Sequence, residues 1–390
     1  QDNATNCDTT AIHLPSYIPT FRGLLDRLRC FLHCVQLAVK MMLSFFNKQY
    51  KRKRAGAVHT GSSSAPTTSA SSSSAMDAVE AELEEILGEA ETEAEELQRL
   101  LADAGRGEHD EQIVKGVREQ AIRGLAARGI VIPSSQAAAA LRVLPKHAAL
   151  AVKTRDQGPV RDKFDKLVDQ YPPDPTIGCY QYISPRNATR WDTEHALLMS
   201  YHALRIAIEK LIEVRDLKLS ALRLTPEEWQ LSSDLCDMLA PVHEVTKVFQ
   251  QRDVPLIVDV IPAYNQLQRD FQAMADCEDL PNVCRVAAYS GYLMTRKYYK
   301  RTDECDAYVI SIVMCPDRKL QWFLENGWSA EDVQHITQKV VRRFYEMFPP
   351  LSQAPGVGST STATSSSGPA STANSISVSR VCYLNFFAVA

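Results

Sequence analysis

At 390 residues, with 45% apolar and 23% charged residues and a formal net charge of −4, the chain has the composition of an ordinary globular protein. It is long enough for two or three domains, since single cores rarely grow past about 250–300 residues. Ten cysteines with no C-x-x-C pair argue against a disulfide framework and for reduced thiols, and the most apolar stretch, Cys30–Phe46, carries His33, Gln36 and Lys40 and is too short to span a bilayer.

Residues 1–50 read as one compact piece. A turn-rich start leads to a loop with Pro15 and Pro19, then to an apolar strand-to-helix segment ending at Phe46. Residues 51–76 form a linker that opens on the basic cluster Lys51-Arg52-Lys53-Arg54. From Ala55 to Ala75 it is Ser, Thr, Gly and Ala, a composition that buries too little apolar surface to offset its ordering entropy and is expected to be disordered. The basic cluster fits a nuclear localisation signal or a phosphate-contacting patch, and equally the solvated flank of a linker.

Residues 77–111 reverse the charge, with Glu80, Glu82, Glu84, Glu85 and Glu89 among their acids. Val79, Leu83, Ile86, Ala90, Ala94, Leu97 and Leu101 recur every three or four residues, which predicts an amphipathic helix from Ser74 to Ala104 acting as a solitary acidic arm. Residues 112–179 read as a helical connector broken at Pro133, Pro145 and Pro159. Residues 180–350 are densely helical. One helix is expected over Asp192–Val214, and another opens at Thr225-Pro226-Glu227-Glu228, a capping box, and stops near Pro241. Further helices are expected over Pro262–Met274, Val283–Arg301 and Ala330–Phe348, with Leu256–Ile261 open between a short strand and a helical turn. Residues 351–390 read as a disordered tail with an apolar, β-prone end, Val381–Ala390.

Segments in a fixed order carry a resemblance. They are Asp2-Asn3-Ala4-Thr5-Asn6-Cys7-Asp8; Arg29-Cys30-Phe31-Leu32-His33 leading to Leu37; Thr189-Arg190-Trp191-Asp192; and a set made of Leu224–Trp229, Leu239-Ala240-Pro241 and Val260-Ile261-Pro262. Tyr308–Leu320 and Trp328 follow as closing helices. Together they resemble the hAT family of DNA transposases, of fungal type, over about half of the chain. The resemblance implies a mostly α (α+β) fold: a partial RNase H-like α/β core interrupted by an all-helical insertion domain. It also implies DNA transposition in the nucleus, with transposon ends as partner and a homo-oligomer in the intact family member.

The implied chemistry is DNA cleavage by two metal ions, Mg2+ or Mn2+, which prefer hard carboxylate oxygens. By this resemblance Asp2 is the second of three catalytic carboxylates and a metal ligand. The first is expected upstream of residue 1, and nothing in Ser352–Ala390 matches the block that holds the third and the family's dimerisation surface. The chain is therefore expected to be a fragment or degenerate relative that does not cut DNA alone. Asp2 by itself also fits an Asx turn, and Asp8 a helix start. Cys30 and His33 have a spacing that could serve zinc, with His13 and Cys34 as conceivable additions, but read better as structural residues. The resemblance implies that Arg190 contacts DNA and Trp191 stacks on a flipped-out base; a Trp anchoring the next helix is the other reading. Two further readings stand beside the enzyme: a non-catalytic nuclear DNA-binding protein derived from a transposase, and a helical protein-interaction module.

Overall fold

The computed structural model describes residues 5–48, 78–87, 104–186, 191–251 and 256–349. The chain divides into two units, 1–341 and 342–390. The described residues are mostly helical, and no strand occurs among them. The helices are α1 (Thr5–His13), α2 (Phe31–Leu43), α3 (78–87), α4 (Ala104–Ala126), α5 (Ser134–Asp156), α6 (Gly158–Gln170), α7 (Trp191–Ala203), α8 (Arg205–Ile212), α9 (Pro226–Phe249), α10 (Val260–Asp276), α11 (Asn282–Tyr299), α12 (Ala307–Met314), α13 (Lys319–Glu325) and α14 (Ala330–Met347). The linker 55–75 and the tail from 352 lie outside the described residues. Helix α14 crosses the division. In the second unit its end carries Arg343 on Glu346 at 3.2 Å and the ring of Phe344 against Phe348.

The apolar segment expected to pass from strand to helix is helical from Phe31 onward, with no strand before it. Its Leu, Met, Ala, Gln and Lys are good helix formers, and α2 is apolar almost all round, as a fully buried helix must be. It lies in a first apolar cluster with residues from α4, α9, α10, α11, α12 and α14. Residues 31–46 thus share a core with the helices beyond 231, and packing crosses the domain boundary expected at residue 50. Gly291 permits the close approach of α11: a Cβ there would meet Met42 Sδ at 2.9 Å and the Phe271 ring at 3.2 Å.

A second cluster gathers Leu83 and Leu87 of α3, Ala148–Ala151 of α5, and side chains of α6, α7, α8 and the turn before α9. The acidic arm is therefore not solitary over its described part. Leu83 is fully buried, Glu82 meets Lys153 at 3.2 Å, and Glu80 meets Lys48 at 2.5 Å. Leu83→Ala is expected to cost about 2–5 kcal/mol locally. Amide exchange should then quicken across 78–87 while α10 and α11 keep their protection; unchanged exchange in α3 would mean that it does not dock.

Two expected breaks do not occur, and one unexpected break does. Helix α5 runs through Pro145 and α9 runs through Pro241. Proline removes the donor for the carbonyl four residues back; for Pro145 that carbonyl belongs to Leu141, and the Lys48 backbone N–H donates to it at 3.3 Å. The helix expected over 192–214 divides at Leu204 into α7 and α8. There the Asp174 N–H donates to the Ala203 carbonyl at 2.9 Å, taking the acceptor that would have continued the helix. Residues 256–259 form a 3-10 turn leading directly into α10.

Candidate functional site

Helices α5, α7 and α9 contribute to both apolar clusters, and a buried polar seam lies where they meet. Thr225 caps α9: its Oγ1 accepts from the Glu228 N–H at 3.2 Å, and Glu228 Oε2 accepts from the Thr225 N–H at 2.9 Å. The same carboxylate, 0% exposed, takes Lys146 Nζ at 2.7 Å and Arg142 Nε at 3.0 Å. Lys146 also donates to the Arg223 carbonyl at 2.8 Å. Burial pulls the Lys146 ammonium below its ordinary range, and Glu228 opposes that shift.

Next to Lys146 on α5, His147 Nδ1 lies 2.6 Å from the Val143 carbonyl, so this nitrogen donates and Nε2 accepts. Ser232 Oγ–H supplies that second bond at 3.0 Å, and His202 Nε2 lies 2.9 Å from the same hydroxyl. The directions then follow: His202 donates to Ser232, Ser232 to His147, and His147 to Val143. Burial pushes His147 down to about 3 and lowers His202 as well. Tyr201 packs its ring against His147 at 3.9 Å, tilted by 42°, while Arg205 covers Trp229 at 4.5 Å on the outer side. Ser232 itself is fully buried, so the arrangement is a lock between helices and not an accessible nucleophile.

Trp191 opens α7 as a buried anchor, 6% exposed, in the first cluster. Its ring meets His243 of α9 edge-on at 6.4 Å, and His243 stacks on His195 at 4.3 Å. Burial, then the proximity of His243 and Lys247, pushes His195 down to about 4. Beside them Glu194 accepts from Arg186 Nε at 2.6 Å, and burial raises its carboxyl.

The first two resembling segments meet in space. Asp8 on α1 pairs with Arg27, with Arg29 at 3.1 Å and with Arg301 at 3.7 Å. Arg29 also reaches Glu304 at 2.7 Å, and its N–H donates to the Tyr308 hydroxyl at 3.0 Å. Asp8 is therefore an ion-pair hub on α1. Cys30 stands at the N-terminal edge of α2 and His33 in its first turn, both half-buried, and Cys34 Sγ–H donates to the Cys30 carbonyl at 3.4 Å.

Asp2, Lys51, Arg52, Lys53, Arg54 and Arg190 lie outside the described residues. Among the described residues no group of three or more His, Cys, Asp or Glu side chains is placed to hold a metal ion. The donor set for Mg2+ or Mn2+ therefore does not assemble from the described residues. No helix among them is long and apolar enough to cross a membrane. The seam residues His147, His202 and Ser232 were not singled out from the sequence. Their one local signal is a polar side chain within an apolar stretch, as in His147-Ala148-Ala149-Leu150, and partners 30 and 85 residues apart leave no spacing to read.

Comparison with family models, with curated proteins and with solved structures gives no match to the chain.

Proposed function

We propose that the chain is a relative of the hAT-type transposases that represents mainly their helical insertion, and that it works by binding DNA rather than by cutting it alone. The observation that carries this reading is where the ordered segments fall. Trp191 opens α7, Thr225–Trp229 opens α9 with a complete capping box, and Val260-Ile261-Pro262 opens α10. These three segments mark helix starts, as the punctuation of an all-helical insertion would, whereas Leu239-Ala240-Pro241 lies within α9. Support comes from this part alone: residues 5–48, to which the resemblance assigns RNase H-like structure, carry helices and turns and no strand.

In this reading Lys51, Arg52, Lys53 and Arg54, together with Arg190, supply the phosphate contacts, and the basic cluster also directs the protein to the nucleus. Asp2 keeps the position of a catalytic carboxylate, but one such residue does not make a two-metal site. Trp191 works from inside the fold by anchoring α7 beside the residue that touches DNA.

Fluorescence anisotropy with a short duplex of arbitrary sequence, in chelator and at low salt, tests the proposal. Binding is expected without metal, weakening as salt rises by about 0.9 in log K per log salt for each phosphate contacted. Replacing Lys51, Arg52, Lys53 and Arg54 together by Gln should remove most of the affinity. No binding at low salt, where the phosphate contribution is strongest, would sink the reading.

A further inference from the structure

We infer that Asn326-Gly327 is a self-modification site: the asparagine deamidates through a succinimide, at a rate set by how often α13 opens. The sequence holds one Asn-Gly step, and both residues are exposed. Glycine has no Cβ, so nothing shields its backbone nitrogen from the neighbouring side-chain amide. That nitrogen attacks Asn326 Cγ, the Cγ–Nδ2 bond breaks, and ammonia leaves with the proton of the Gly327 N–H. Water then opens the ring. Breaking the new N–Cγ bond gives aspartate. Breaking the original peptide bond instead gives isoaspartate, whose main chain runs through Cγ.

The closed end of α13 blocks this ring. Closure requires the Gly327 nitrogen to eclipse Asn326 Cβ, but at ψ 20° it lies close to eclipsing the Asn326 backbone nitrogen. Gly327, at φ 85°, is the left-handed residue of a Schellman motif. Its N–H donates to the Leu324 carbonyl at 3.3 Å, and the Trp328 N–H donates to the Phe323 carbonyl at 3.0 Å. The leaving group is held as well, since Asn326 Nδ2 donates to the Trp322 carbonyl at 2.8 Å. Yet α13 has seven residues and buries Phe323 alone, and short elements with few buried contacts open locally before the whole fold does. The aspartate product does not restore this end. A carboxylate accepts but does not donate, so the bond to the Trp322 carbonyl is lost, and negative charge at a helix C-terminus is unfavourable.

Mass spectrometry of the peptide containing Asn326-Gly327, with enzymatic methylation to detect isoaspartate, tests this in the full chain at mildly alkaline pH with and without urea. Conversion is expected in both, about ten- to a hundredfold slower in the folded chain. A folded chain still unconverted after about a hundred half-times of the urea reaction overturns the site, and equal rates overturn the control by α13. Asn326→Gln should abolish the change in both samples; a change that persists lies at another residue and overturns the assignment. Phe323→Ala removes the buried anchor and should speed the folded reaction about tenfold, and an unchanged rate overturns the gate. Should that variant fail to fold, amide exchange at Gly327 and Trp328 in wild type decides. The open fraction it reads must match the ratio of the two rates, and a mismatch overturns the inference.

Discussion

Glu228→Gln is expected to cost about 3–5 kcal/mol, the loss typical of a buried ion pair deprived of one partner. Domains are stable by only about 5–15 kcal/mol in total, so this one substitution brings the fold near its limit. Glutamine can still close the capping box, so the helix start survives and the measurement isolates charge. What it strands is Lys146, buried and left with the Arg223 carbonyl, and Arg142, half-buried. Thr225→Ala, which removes the cap and keeps the charges, should cost only about 1 kcal/mol. The double replacement Lys146→Met with Glu228→Leu should recover much of the loss, since a well-packed apolar pair often matches a buried ionic one. Urea unfolding midpoints check all of these, and a Glu228→Gln midpoint equal to that of wild type would show that the seam does not hold the helices.

Acidification should destabilise the protein well before its surface carboxylates titrate. Burial holds His147 near 3 and His195 near 4, against an ordinary value of 6.5. The unfolded chain therefore takes up protons that the folded chain refuses. With folded values below unfolded ones, the stabilisation is complete above about pH 6.5 and drains away as pH falls toward 4 and then 3. His147 alone accounts for roughly 2 kcal/mol lost by pH 5. His202 and His243 are lowered by burial and act in the same direction. Glu194 and Asp234, raised by burial, act against it, so the net slope between pH 7 and 5 is the quantity to measure. Unfolding in that interval should take up about one to two protons per molecule; a stability independent of pH there would mean that His147 and His195 are not held neutral.

Helix starts and stops with local signals were legible. The capping box at Thr225 and Glu228 is complete, and α10, α11 and α14 lie within two residues of the expected bounds. Breaks set by distant partners were not. Pro145 looks like a helix end until the Lys48 N–H takes the Leu141 carbonyl, and Leu204 looks like mid-helix until Asp174 takes the Ala203 carbonyl. In the segment expected to pass from strand to helix only the helix is present, because burial on every side erases the periodicity that separates helix from strand. Of the candidate site residues, Trp191 was expected either to stack on a base or to anchor a helix, and it opens α7 buried, whereas Asp2, Arg190 and the basic cluster lie outside the described residues.

By itself the sequence determined the helical character of most of the chain and the ordered segments that suggest a transposase relative, because propensity, caps and motifs act over a few neighbouring residues. Only the tertiary structure decided that Asp8 collects Arg27, Arg29 and Arg301, that Glu228 serves two distant cations, and that His147, Ser232 and His202 form one chain. Those are facts about charge and hydrogen bonding in a low-dielectric interior. They depend on which side chains meet there and on what water is excluded, neither of which the order of residues along the chain records.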